Sequence, residues 1–201
     1  MTDIVLATKN NHKIKELNAM LSPYIAGKFV IISMEEAGFN GDMEESGTTF
    51  EENTRIKAET VCRATGLIAF ADDSGLEVDA LNGRPGIYSA RYGGDDADYD
   101  KKIRLLLSEM ENIADEKRTA RFVSVFCCVY PNDGKCVMAR GECEGIIIRE
   151  KLGDGNFGYD PVFYYPPYGK TFAQMTTEEK NTVSHRGRAV EKFIKMLCLD
   201  K

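Results

Sequence analysis

Histidine is scarce in this 201-residue chain: His12 and His185 are its only two. Neither has a partner at the i, i+4 spacing of a zinc-protease helix, so a histidine-rich metal site is excluded. The G-x-x-x-x-G-K-[ST] sequence of the usual NTPase phosphate loop does not occur. Six cysteines (Cys62, Cys127, Cys128, Cys136, Cys143 and Cys198) show no Cys-x-x-Cys spacing. Most lie in apolar runs, where a thiol packs as a small hydrophobe, so reduced, buried cysteines are expected. A net charge of −6 leaves no basic excess for neutralising many nucleic-acid phosphates, although a small anion met by local charges remains possible. The opening MTDIVLATKNNHK holds only a short apolar run, neither a signal peptide nor a membrane span. A cytosolic chain without a membrane partner is expected, in a compartment that disfavours disulfides.

What is present suits one globular domain over residues 1–201. A composition of 43% hydrophobic and 29% charged residues builds a substantial core, and no Pro-, Ser- or Gly-rich linker divides it. Residues 3–7 read as a buried strand, after which Ile14, Leu17 and Leu21 recur at helical spacing. Residues 29–34 form a second strand, and a Gly- and Glu-rich loop covers 38–48. Thr49 and Glu52 have the spacing of a capping box that starts a helix reaching about Thr65. A third strand, 67–71, is expected to end where Asp72, Asp73, Ser74 and Gly75 begin; the carboxyl ends of strands are where α/β folds bind ligands.

Further on, Ile103, Leu106, Leu107 and Met110 mark a structural helix. Residues 121–130 and 135–144 read as a hairpin turning at Pro131, Asn132, Asp133 and Gly134, and residues 146–148 and 162–165 extend the sheet. Thr176 and Glu179 repeat the capping-box spacing ahead of a helix with Val190, Phe193, Ile194 and Leu197 on one side. Alternating strands and helices followed by hairpins indicate an α/β fold with a mixed sheet flanked by helices.

Gly153, Gly155 and Gly158 satisfy G-x-G-x-x-G, but Tyr159, Asp160 and Pro161 lead into an aromatic strand and not a helix, so the dinucleotide reading is rejected. These glycines either let backbone approach a ligand or simply make turns. Four other clusters combine polar residues that a packed core does not need. Thr8, Lys9, Asn10, Asn11, His12 and Lys13 lie between a strand and a helix start, where free amides and a lysine make an anion site; the plain alternative is a capped helix with solvated lysines. Glu44 and Glu45 precede Asn53 and Lys57, which share a helix face one turn apart. Asp72 and Asp73 adjoin Ser74. Phe157, Gly158, Tyr159 and Asp160 join Lys180, Ser184, His185 and Arg186, read either as a base pocket or as core packing with a helix cap.

Carboxylates gathered at an anion site require explanation, because two like charges about 4 Å apart repel by on the order of 4 kcal/mol at an effective dielectric of about 20. A divalent cation reverses that sign. Mg²⁺ takes oxygen ligands from one or two carboxylates and from substrate phosphates, and orients a nucleophilic water.

Read together, LATKNNHKIKEL, EESGTTFEENTRIKAE, FADDSGLEVDALNGRPGIYSARY, FGYDPVF and MTTEEKNTVSHRGRA span nearly the whole chain, and the sequence resembles the inosine triphosphate pyrophosphatases, also called XTP/dITP diphosphatases. The resemblance implies an elongated, two-lobed α/β fold and an Mg²⁺-dependent homodimer that hydrolyses ITP, dITP or XTP to the monophosphate and pyrophosphate. By motif position it implies that Thr8, Lys9, Asn10, Asn11, His12 and Lys13 cradle phosphates with Lys57 and Lys180. It makes Asp73 proton acceptor and metal ligand, with Glu44 or Glu45 also holding Mg²⁺ and Ser74 touching substrate. Phe157, Gly158, Tyr159 and Asp160 would form the base pocket, and His185 and Arg186 would read the 6-oxo edge of the purine. Many members of that family have Gly at the positions of Lys9 and His12. A non-hydrolysing nucleotide sensor and a pyrophosphatase for pyrimidine or modified nucleotides are the competing readings.

Overall fold

The computed structural model describes residues 2–25, 27–94, 97–154 and 157–199. The side chains of Asn11, His12, Leu197 and Cys198, and Gly155 of the glycine motif, lie outside the described residues. In chain order the elements are β1 (Thr2–Leu6), α1 (Asn11–Ile25), β2 (Phe29–Ser33), α2 (Phe50–Thr65), β3 (Ile68–Val78), α3 (Tyr99–Glu109), β4 (Thr119–Val129), β5 (Cys136–Ile147), β6 (Phe163–Tyr165), β7 (Lys170–Thr171), α4 (Thr177–Val183) and α5 (His185–Leu199). Among the described residues the strands form one mixed sheet in the order β2-β1-β3-β4-β5-β6-β7. β1 lies parallel to both β2 and β3, whereas β5, β6 and β7 pair antiparallel. The α/β reading of the sequence is borne out. No helix among the described residues is long and apolar enough to cross a membrane.

Local chemistry sets the boundaries. Thr49 caps α2 by accepting the Glu52 amide at 3.1 Å, and Gly66, at φ 68°, closes the helix in the left-handed conformation. Half of the expected box is replaced: the Glu52 carboxylate takes the Thr48 amide and hydroxyl at 2.7 and 2.8 Å. At Thr176 both halves form. The helix that follows stops at Ser184, whose extended backbone (φ −69°, ψ 160°) separates α4 from α5. Gly134, at φ 67°, turns the β4–β5 hairpin, and Tyr130 donates its amide to the Lys135 carbonyl at 3.0 Å.

The largest departure from the sequence reading is β3. It does not stop before the acidic residues but runs through Asp72, Asp73 and Ser74 to Val78. Charged residues are tolerated in this buried strand because cations meet them from both faces. Phe70 packs with Leu17, Phe126 and Phe193, whereas Ala69 and Ala71 pack with Ala58 and Val61 of α2. Side chains alternate along a strand, so Asp72 shares the face of Phe70 and Asp73 that of Ala71.

The chain divides into two compact units: Met1–Asp73, Ser124–Gly141 and Arg186–Lys201 make the first; Ser74–Val123 and Glu142–His185 make the second. The first has two apolar layers, one with α1 and α5 residues around Phe70 and Phe126, the other with α2 residues around Ala69 and Cys127. In it Cys62, Cys127 and Cys128 are buried free thiols, and Cys136 is half-buried with its sulfur 2.8 Å from that of Cys127. The second unit packs Ile103, Leu106 and Met110 around Phe122, Phe163 and Phe172, with Cys143 as its buried thiol. Gly153 lies where an added Cβ would stand 2.7 Å from the Ala173 carbonyl carbon, so its role is close backbone packing.

Arg118 anchors the second unit. It is only 2% exposed, and its guanidinium donates to the carbonyls of Met110 and Ile147 at 2.6 and 2.7 Å. Replacing it strands two buried carbonyls and removes a large side chain from the interior. Arg118→Met is expected to destabilise the protein by about 2–6 kcal/mol, from two stranded carbonyls, read as a lowered urea midpoint.

Candidate functional site

The first unit gathers most of the charged candidates. Asp72, fully buried, has its Oδ1 3.1 Å from Lys13 Nζ of α1 and its Oδ2 3.6 Å from Arg186 Nε of α5. Arg186 also holds Glu16 at 3.0 Å, giving a continuous Lys13–Asp72–Arg186–Glu16 chain. On the other face of β3, Lys57 Nζ lies 2.9 Å from Asp73 Oδ1 and 3.3 Å from Glu45 Oε1. The second oxygen of Asp73, Oδ2, is buried and has no hydrogen-bond partner among the described residues.

These surroundings drive the two aspartates apart. Burial alone would raise Asp72, yet Lys13, then Arg186 and Lys57, hold its carboxyl below the ordinary value. Burial raises Asp73 above that value against the pull of Lys57 and Lys13. Lys13 is pulled down by burial despite Asp72, whereas the carboxylates of Asp73, Asp72 and Glu45 hold Lys57 up against its own burial. Two residues of the same type thus shift in opposite directions, Asp72 toward its ionised form and Asp73 toward its protonated form.

At the start of α1 the Asn10 carboxamide oxygen accepts the Lys13 amide at 3.2 Å, and the Asn10 amide donates to Thr8 Oγ1 at 3.2 Å. Thr8 is half-buried, Asn10 is exposed, and exposed Lys9 pairs with Asp42 at 2.7 Å. The backbones of Asn11 and His12 form the first residues of α1. Glu44 is exposed, and only Glu45 reaches Lys57. Among the described residues no group of three or more His, Cys, Asp or Glu is assembled for a metal ion. The oxygen chemistry nevertheless fits a hard cation: Asp73 offers a buried carboxylate oxygen with an open coordination position, with Glu45 drawn to the same lysine.

The second unit assembles the other candidates. Lys180 pairs with Asp160 at 2.5 Å and stands 5.0 and 5.7 Å from the ring centroids of Phe157 and Phe172. Tyr159 is buried and donates to the Ser89 carbonyl at 3.0 Å, and Gly158, at φ 61°, turns the chain between the two aromatic residues. His185 is buried and stacks on Phe122, with centroids 4.8 Å apart and planes 16° apart. Ser74 is half-buried at the head of this unit.

Several participants escaped the sequence reading. Glu16 follows Lys13 by three helical residues, so the i, i+3 spacing could have marked it. Phe122, Phe172 and Asp42 carry no local signal, since long-range packing alone brings them to His185, Lys180 and Lys9.

The sequence model described as the Ham1 family matches residues 4–196. The chain belongs to the Ham1 family. Among Ham1 relatives, the dITP/XTP pyrophosphatase of Desulforamulus reducens is 47% identical over 194 residues, covering 96% of this chain and 94% of its own. That of Clostridium perfringens is 45% identical over 199 residues, covering 96% of both. The solved Ham1 protein of Coxiella burnetii superposes with a TM-score of 0.90 at 40% identity, covering 98% of this chain and 99% of its own. That of Staphylococcus aureus gives 0.89 at 38% identity, covering both chains completely. The resemblance drawn from the motifs is borne out.

Asp72 gives a test of the charge chain. Because its folded pKa lies below the unfolded value of about 3.9, its stabilisation is fully present above that pH and is lost as pH falls through the folded value. Asp72→Asn is expected to cost about 3–5 kcal/mol at pH 7 by taking the counter-charge from Lys13 and one counter-charge from buried Arg186, which keeps Glu16. The gap to the unaltered protein should narrow in urea melts below pH of about 4.

Proposed function

We propose that this protein hydrolyses ITP, dITP and XTP to the nucleoside monophosphate and pyrophosphate, with Asp73 as proton acceptor. The observation that carries this reading is Asp73 itself: a buried carboxylate raised above its ordinary pKa, one oxygen on Lys57 and the other without a partner. Relatives at 47% and 45% identity bearing the name dITP/XTP pyrophosphatase support the substrate class.

In this reading a water oxygen attacks the α-phosphorus while its proton passes to Asp73, and the α–β anhydride bond breaks to release pyrophosphate. Lys13 and Lys57 meet the charge growing on the leaving group, and the amides of the α1 start, with Thr8, Lys9, Asn10, Asn11 and His12, seat the phosphates. Mg²⁺, held by Asp73 and by Glu45 or Glu44, would supply charge neutralisation along the phosphate chain and a more acidic water. Asp73 and Glu45 otherwise both lean on Lys57, so Lys57 keeps the two carboxylates together.

Ser74 contacts the substrate, and Phe157 stacks on the base beside Gly158, Tyr159 and Asp160, while Lys180, already a cation over the Phe157 ring, serves the anionic end. His185 and Arg186 donate to the 6-oxo edge. An adenine amino group cannot accept from them, and each unpaired donor costs roughly 1–3 kcal/mol. Arg186 enters that role with its guanidinium already oriented by Glu16 and Asp72. The same reading takes the working form to be a cytosolic homodimer, which light scattering on the purified protein checks.

A panel of ITP, XTP, GTP, ATP and dTTP with Mg²⁺, scored separately for pyrophosphate and orthophosphate, tests reaction and substrate together. ITP and XTP should lead, with pyrophosphate the product; orthophosphate release would sink the α-phosphorus assignment. Asp73→Asn should lower turnover by roughly 10² to 10⁴ with the thermal melt preserved. Wild-type-like turnover would remove Asp73 from the mechanism. For Arg186→Ala the ratio of kcat/KM for ITP over ATP should fall by about ten-fold or more. An unchanged ratio removes Arg186 from base reading.

A further inference from the structure

We propose that Asn53 is a further ligand-binding residue of the Asp73–Lys57 face, donating its carboxamide N–H to an oxygen of the bound polyphosphate. This inference rests on the polyphosphate reading above.

Asn53 is fully buried on α2, one helical turn before Lys57 and on the same side of the helix. Its two side-chain atoms are used unequally. Oδ1 accepts the Gly47 amide at 2.9 Å, an N–H that only the oxygen end of the carboxamide can take. That contact fixes which way the amide faces, and Nδ2 is then left buried without an acceptor among the described residues.

Gly47 shows how tightly the loop is seated. A Cβ there would lie 2.7 Å from Glu52 Cβ, 2.8 Å from Asn53 Oδ1 and 2.9 Å from the Asn53 backbone nitrogen. Only glycine lets the loop descend onto the start of α2 at this point. Two residues earlier the same loop carries Glu45, whose carboxylate reaches Lys57 at 3.3 Å. The residue that carries the unused N–H therefore lies against the loop that bears Glu45 and one helical turn before the lysine that Glu45 and Asp73 share.

A buried donor without an acceptor is costly, and buried polar side chains in folded proteins are nearly always satisfied. Leucine would fill the same volume without a stranded donor, at the loss of the Gly47 contact alone. The amide makes sense if its partner arrives with the ligand, and a phosphate oxygen is an acceptor of the right charge for a site already holding Lys57. A hydrogen bond to a charged acceptor supports an affinity change of about ten-fold or more.

The test is binding of inorganic tripolyphosphate with Mg²⁺ by calorimetry, alongside ITP turnover, for the unaltered protein and two variants. Asn53→Asp keeps an oxygen for the Gly47 amide but removes the donor; Asn53→Leu removes both without adding charge. Both should weaken tripolyphosphate by about ten-fold or more and raise KM for ITP more than they lower kcat, measured at a temperature where thermal melts show each variant folded. If either folded variant binds tripolyphosphate as tightly as the unaltered protein, the donor role is overturned. Should Asn53→Leu not fold, Asn53→Ala takes its place under the same criterion. Failure of the unaltered protein to bind tripolyphosphate and to hydrolyse ITP would instead defeat the polyphosphate reading itself, so the two failures are told apart.

Discussion

Two adjacent carboxylates buried in one strand, each answered by cations on its own face, are the constraint on which the site depends. An isolated ionised carboxylate in a protein interior is strongly disfavoured, so β3 can carry Asp72 and Asp73 only if α1, α2 and α5 bring lysine and arginine to it. The strand's alternation then does the sorting. Asp72 becomes the hub of an ion-pair chain that joins α1 to α5, while Asp73 is left with one lysine and an open oxygen. One position is structural in its electrostatics and the next is chemically available, although the residues are identical and consecutive.

The second unit solves a different problem with different means. Its candidate residues are aromatic rings and one cation, held by stacking and a short ion pair: His185 on Phe122, Lys180 on Asp160 beside Phe157 and Phe172. Arg118 uses its donors to satisfy carbonyls at the ends of neighbouring segments, so the unit is braced where loops would otherwise leave polar backbone buried. Ser184 divides the labour between neighbours in sequence: its extended backbone ends α4, and the residues after it, His185 and Arg186, belong to different units.

Periodicity made most of the fold legible before any coordinates. Leu17 and Leu21 announced α1, Ile103 and Leu106 announced α3, and Thr176 with Glu179 marked the start of α4, because each signal lies within one or two helical turns. What stayed hidden depended on distant partners. The acidic run at 72–73 looked like a strand's end because charge is rare inside strands, and the cations that permit it lie far off in sequence at Lys13, Lys57 and Arg186. Glu44 and Glu45 could not be ranked from sequence, since only the path of the loop shows that Glu45 reaches Lys57. Half of the Thr49–Glu52 box was lost for a similar reason, because Thr48 presents Glu52 with both an amide and a hydroxyl.

The alternation of β3 also bears on how this gene can drift. Deleting or adding one codon ahead of residue 72 would exchange the two side chains between faces, setting the ion-pair hub against α2 and turning the open oxygen toward α1 and α5. Length changes in the 131–134 turn carry no such exchange, because that turn only reverses the chain between two strands. Lineages should therefore tolerate indels at the hairpin tip and keep the spacing from Gly66 to Asp73 constant.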